Sequence, residues 1–182
     1  AAFGAAFGIV FLGASPFVIQ GLAALFACLG LAFSYLLARN IRYGGWTLRL
    51  VLAGIAVSAL FSSGVGLIKY VADPLTQLPE ITFWMLGGLW SITWEDVLVV
   101  LPLVVPALLI VYLMRWRLNL LSLDEKTALS LGAAPGRERM VLLVAAVVAT
   151  AATVSLSGIV GWVGLIVPHM ARRLLGSDAL HA

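Results

Sequence analysis

The amino-acid sequence predicts an all-α fold, a polytopic transmembrane helical bundle. Three observations carry that reading. The 182 residues are 63% hydrophobic and only 10% charged, with a mean hydropathy of +1.11, whereas soluble domains run at roughly 45–50% apolar and about 25% charged. Several apolar runs are long enough to cross a hydrocarbon core about 30 Å thick. Threading the chain through those runs gathers ten of the eleven basic residues on one side, the asymmetry that membrane topology produces. A water-soluble globular enzyme, a disordered chain and a nucleic-acid-binding protein are excluded on composition, despite the formal charge of +3 and pI of 9.4. A fully helical chain would extend on the order of 270 Å at about 1.5 Å per residue, so length alone leaves room for about five or six crossings after loops.

The elements follow in order from apolar runs and polar punctuation. Residues 1–13 form an apolar stub too short to span; its Gly4 and Gly8 are a GxxxG pair suited to close helix packing. No basic n-region precedes it, so it reads as the continuation of a longer chain rather than a signal peptide. Ala14, Ser15 and Pro16 make a turn, with Pro placed to open a helix. Residues 17–39 are a full crossing, with the single Cys28 inside it as a small apolar residue. Gly44 and Gly45 break the chain, and 48–71 form a second crossing carrying Lys69 near its end. Asp73 and Pro74 stop it. A short helix is expected at 80–88. Residues 96–114 are a third crossing, with Pro102 and Pro106 inside. The stretch 115–138 is the most polar of the chain, and 139–157 form a fourth crossing. Residues 158–176 hold a Gly-rich segment and a short apolar helix ending at Arg172 and Arg173.

This threading puts loops 39–49, 115–139 and 172–182 together, with Arg39, Arg42, Arg49, Arg115, Arg117, Lys126, Arg137, Arg139, Arg172 and Arg173. The other side keeps only Lys69. The basic side is expected to be cytoplasmic. Tyr70, Trp84, Trp90, Trp94 and Trp162 then fall near the outer interface, and Tyr43, Trp46 and Trp116 near the inner one, levels that amphipathic rings favour.

Three groups of residues invite a functional reading. Gly54, Ser58, Ser62 and Gly66 recur at spacing four, on one face of the second crossing. They suit either close packing of another helix or a smooth, weakly polar pathway wall. Between the third and fourth crossings, residues 119–135 hold a short amphipathic helix. Ser122 and Glu125 have the spacing of a capping box, Leu123, Ala128 and Leu131 supply an apolar side, and Gly132 is placed to end it before Pro135. Such a helix can lie in the interface or dock in a partner's groove; the mixed charge of Asp124, Glu125 and Lys126 favours the partner. Finally, Gly158, Gly161 and Gly164 followed by Pro168 suggest broken backbone at membrane depth. That is tolerated only where it is buried in protein or lines a cavity, as in transport sites, or where it makes a tight turn between helices.

Other chemistry finds no support. His169 has no accompanying cluster of metal-ligand residues, so no metal site is expected. Ser157 with His169 lacks an orienting third group and a GxSxG context, which argues against a membrane protease. No Walker motif is present, so the chain cannot itself use ATP. A secondary transporter or channel would carry ionisable residues along its ion route, and the crossings are almost free of them.

Four segments, in order, carry a resemblance over nearly the whole chain: LVLAGIAVSALFSS (50–63), FWMLGGLWSITWEDVL (83–98), RLNLLSLDEKTALSLGA (117–133) and GIVGWVGLIVPHMARRLLG (158–176). They resemble the FecCD-type permease subunits of ABC importers for iron–siderophore complexes, haem and vitamin B12. The resemblance implies a ten-helix type II importer permease, of which residues 1–182 would be a single incomplete domain holding about helices three to eight. It implies two permease copies, identical or related, two cytoplasmic ATPase subunits that bind ATP and Mg, and an extracytoplasmic substrate-binding protein, in a bacterial inner membrane. No cofactor is expected on the permease itself.

By that resemblance 119–135 is the cytoplasmic coupling loop, with Leu120, Leu123, Asp124, Glu125, Ala128, Leu131 and Gly132 at the ATPase. The crossing with Gly54, Ser58, Ser62 and Gly66 would border the translocation pathway. Asp124 stands where the family usually has Gly, and Ile159 and Trp162 replace commoner residues. The alternatives weighed against this importer reading are a secondary transporter or channel, and a truncated permease fragment without activity.

Overall fold

The computed structural model describes residues 1–13, 15–41, 44–89, 92–121, 125–130, 132, 134–160 and 163–175. Nine α-helices follow one another there: α1 (Ala2–Phe11), α2 (Pro16–Asn40), α3 (Trp46–Val71), α4 (Gln77–Leu86), α5 (Trp94–Leu113), α6 (Arg115–Leu121), α7 (Glu125–Ser130), α8 (Pro135–Ser157) and α9 (Val163–Leu175). Among the described residues, α2, α3, α5 and α8 are long and apolar enough to cross a membrane. The 25 residues of α2 reach roughly 38 Å at helical rise. The chain is an integral membrane protein.

Helix boundaries follow local chemistry. Pro16 and Pro135 occupy the first turns of α2 and α8, where the missing N–H costs no hydrogen bond. The start of α5 is a capping box: the Asp96 N–H donates to Thr93 Oγ1 at 3.3 Å, and the Thr93 N–H donates to Asp96 Oδ2 at 3.0 Å. α3 ends at Val71, ahead of Asp73 and Pro74. α5 and α9 run through Pro102, Pro106 and Pro168; each proline removes one backbone donor within its helix.

α2 is the centre of the bundle and packs on α1, α3 and α8, while α5 packs on α8. A buried cluster joins Ala5, Ala6 and Ile9 of α1, Ile19 and Ala23 of α2, Ile68 of α3, Ala72 just past the end of α3, and Ile81 of α4. Half of it is alanine. In lipid, helices gain from close backbone approach rather than from expelling water, and alanines permit it. Gly4 shows why size matters: a Cβ there would strike the Leu22 carbonyl of α2. Phe3, Phe26 and Phe61 close the seam from three helices, with ring centroids 5.0 to 6.1 Å apart, separations at which aromatic pairs attract.

Among the described residues there are four spans, the four crossings read along the sequence, fewer than the five or six that length alone leaves room for. The difference goes into short helices: α1 stops before spanning length, and α4, α6 and α7 consume sequence without crossing. α4 starts at Gln77 instead of 80. α8 starts four residues ahead of 139, because Pro135 and Gly136 are helical. The stretch 115–138 holds two short helices instead of one, since α6 continues past a break at Met114 (φ −90°, ψ 5°).

Candidate functional site: the loop between α5 and α8

Where α5 ends, Leu118 N–H donates to the Met114 carbonyl at 3.2 Å, so α6 begins as soon as α5 breaks. α7 then packs against α6 and against α8. Ala128 is completely buried, the buried position of α7 among the residues whose burial is described. Thr127, Leu129 and Ser130 face outward, and the Ser130 hydroxyl donates to the Thr127 carbonyl at 2.8 Å. Gly132 has φ +79° and its N–H donates to the Leu129 carbonyl at 3.0 Å. That left-handed geometry closes the helix as a glycine after its last turn does.

Of the loop residues singled out from sequence, Leu120 is half-buried on α6, Glu125 opens α7, Ala128 is buried and Gly132 is exposed. Leu123, Asp124 and Leu131, with the capping residue Ser122, lie outside the described residues.

Sequence reading missed the ionic contacts that hold this loop. Arg117 Nη1 of α6 lies 3.2 Å from Glu138 Oε1 of α8. The same carboxylate oxygen accepts from the Ala134 N–H at 3.3 Å. Arg139 Nη2 donates to the Leu121 carbonyl, at the end of α6, at 3.3 Å. Arg117 and Arg139 enter the sequence reading only as topology markers and Glu138 not at all, but their signal is present: two basic residues flank Trp116, and a Glu between two arginines lies in the first turn of α8. Beside them an open cleft of about 670 Å³ lies between α3, α5, α6 and α8, walled by Trp46, Leu50, Val111, Leu118, Arg139 and Leu142 among others. The guanidinium of Arg115 lies 4.5 Å from the ring of Tyr112, a cation–π contact.

The small-residue face of α3 is open among the described residues. Ala53, Val57, Val65 and Ile68 make the buried side. Gly54 is half-buried, Ser58, Ser62 and Gly66 are exposed, and a Cβ on Gly54 or Gly66 would meet nothing within 4 Å. Gly4 and Gly8, by contrast, lie against α2.

The Gly-rich segment divides. Gly158 ends α8 with φ +68°; Gly161 lies outside the described residues; Gly164 and Pro168 are inside α9. Within the described residues the break is confined to 158–160. The Ser157 hydroxyl donates to the Thr153 carbonyl at 3.0 Å, and His169 stands on α9 with its surface exposed. No group of three or more metal-ligand side chains occurs among the described residues. On the aromatic side, partial burial raises the Glu80 carboxyl of α4 above its usual range.

The comparisons with known proteins agree along the whole chain. The FecCD transport family matches residues 1–182. The chain is 39% identical to a molybdate import system permease of Haemophilus influenzae, over 96% of this chain and 52% of that protein. It is 34% identical to a hemin transport system permease of Yersinia pestis, over 96% of this chain and 54% of that one. A solved structure described as an inward-facing conformation of a metal-chelate type ABC transporter superposes with a TM-score of 0.90 at 36% identity, covering 99% of this chain and 56% of its own. The chain spans about half the length of the curated relatives it matches. The family is one of transport permeases rather than catalysts, and over its entire length this chain belongs to the FecCD transport family.

Proposed function

We propose that the chain is the central part of a permease subunit in an ATP-driven ABC importer, and that residues 119–135 are its coupling loop. The observation that carries the reading is the seating of α7: Ala128 is buried against α6 and α8 while Thr127, Leu129 and Ser130 face outward at the end of the bundle where the basic residues gather. A short helix held by its inner side and free on its outer side is shaped to enter a partner's groove. The partner is a cytoplasmic ATPase that carries the ATP and Mg; the permease binds neither. Ten of eleven basic residues lie in the loops of this end by the sequence threading, which supports a cytoplasmic placement in a bacterial inner membrane.

The assembly contains a second permease copy, identical or related, and receives its substrate from an extracytoplasmic binding protein. The exposed face of Gly54, Ser58, Ser62 and Gly66 borders the pathway. Its openness among the described residues supports that use, as does its freedom from charge, because a large ligand slides past a wall that offers no strong binding. The substrate class is an iron–siderophore, haem or cobalamin-type chelate; relatives named for hemin and iron chelates support this, and one named for molybdate marks how far the scaffold extends.

The test is uptake by the full-length permease with its ATPase in proteoliposomes. ATP-dependent accumulation of a ferric chelate delivered by the cognate binding protein supports the reading. Accumulation that follows an ion gradient and ignores ATP refutes it.

A further inference from the structure

Two consecutive residues at the start of α8 hold α6 in opposite chemical senses. Glu138 accepts from Arg117, and Arg139 donates to the carbonyl of Leu121. Arg117 is held by its side chain and Leu121, four residues on, by its main-chain carbonyl at the end of α6. The grip is therefore placed at two successive turns of one short helix. Its connection to α5 differs: the helix breaks at Met114 and restarts at Arg115, leaving a bend between them. The side of Glu138 toward the protein is closed. Its side chain is 15% exposed, and Oε2 is buried without a hydrogen-bond partner among the described residues. A carboxylate so placed is poorly solvated once Arg117 is removed. Arg117 itself is 45% exposed, and such half-exposed pairs add little to stability. The contribution of the pair is geometric.

From this arrangement we infer that Glu138 and Arg139 are positioning residues that fasten the coupling loop to α8, so that displacement of the loop by the ATPase moves α8 while the bend at Met114 yields. The inference rests on the coupling-loop reading above. Its chemistry is a bidirectional clamp: a carboxylate that takes a guanidinium, beside a guanidinium that takes the end of a helix, where unsatisfied carbonyls concentrate negative charge. Either contact alone would allow α6 to pivot about it. Together they fix its direction relative to α8.

The experiment uses the full-length permease with its ATPase subunits in proteoliposomes, and reads three quantities: ATPase retained on the purified permease, ATP hydrolysis, and substrate transported per ATP. The variants are Glu138→Gln, Arg117→Gln, the conservative Arg117→Lys, and the exchanged pair Arg117→Glu with Glu138→Arg. Both glutamine variants are expected to retain ATPase and hydrolyse ATP, while transport per ATP falls about tenfold, within the usual range of a coupling free energy. Arg117→Lys and the exchanged pair are expected to recover most of the wild-type ratio, a rescue that simple misfolding would not show. An unchanged ratio in both glutamine variants overturns the clamp. So does loss of the ATPase from Glu138→Gln with retention in wild type, because the residues would then serve docking. A wild-type permease that retains no ATPase overturns the coupling-loop reading itself, and is recognised by failing before any variant is made.

Discussion

Gly87 and Gly158 meet backbone to backbone, joining the end of α4 to the end of α8. Their φ values are +65° and +68° with ψ at 161° and −160°, a region open essentially to glycine alone. A Cβ on Gly87 would stand 2.7 Å from the Ile159 carbonyl oxygen, and one on Gly158 would strike the carbonyl of Trp84. The neighbouring Gly88 N–H donates to the Ser157 carbonyl at 2.7 Å. The contact ties a short helix that does not span the membrane to one that does.

Alanine at either glycine is therefore expected to destabilise the full-length permease. Backbone strain alone costs on the order of 1–3 kcal/mol, and the lost close approach adds to it. Thermal unfolding in detergent should show Gly87→Ala and Gly158→Ala melting several degrees below wild type; an unchanged midpoint for both would sink the contact as a structural tie.

Gly4 and Gly66 should behave oppositely although both are helical glycines in apolar surroundings. Gly4→Val drives a side chain into α2 at Leu22 and lowers stability by roughly 1–3 kcal/mol, the usual cost of overpacking. Gly66→Leu meets open space and should leave stability within about 0.5 kcal/mol, while uptake drops because the pathway wall is roughened. Uptake equal to wild type with Gly66→Leu would remove that face from the pathway.

Thr93→Ala removes the capping box of α5. The expected loss is about 0.5–2 kcal/mol, seen as an earlier melt and as faster amide exchange in the first turn of α5. Exchange unchanged at Asp96 and Val97 would mean that the cap is not needed there.

Gly132→Pro attacks the coupling loop without touching a span. Proline holds φ near −65°, whereas Gly132 stands at +79°. Insertion should stay near wild type and melting should fall modestly, because the strain and the lost Gly132 N–H bond lie in an exposed loop, while ATP hydrolysis no longer drives uptake. Leu131→Asp, at a position outside the described residues, is expected to uncouple in the same way. Wild-type uptake by both variants would contradict the assigned role of the loop.

Much of this architecture was legible in the residues. Spans are set by long apolar runs and by Pro, Asp and Gly at their ends, which are local signals; Pro16, Asp73 and Gly158 mark boundaries that the structure keeps. The short helices were harder. α6 has no apolar run or cap to announce it, and its contacts with α8 run from Arg117 to Glu138 and from Arg139 back to Leu121, a tertiary cause. The close approach of Gly87 to Gly158 joins residues 71 positions apart, and no periodicity links them. The two readings of Gly54, Ser58, Ser62 and Gly66 are not separated by spacing, because packing faces and smooth walls use the same small residues, and the empty space beside Gly54 and Gly66 suits both.

The central claim is that the outward side of α7 meets an ATPase. It is tested most directly by placing a photo-activated cross-linker at Ser130 of the full-length permease and irradiating intact cells. The account predicts an adduct with the ATPase subunit, reduced when Gly132→Pro is present. Labelling of a Ser130→Cys variant by a membrane-impermeant maleimide from outside the cell, with no ATPase adduct, would place the loop on the wrong side of the membrane and contradict the account.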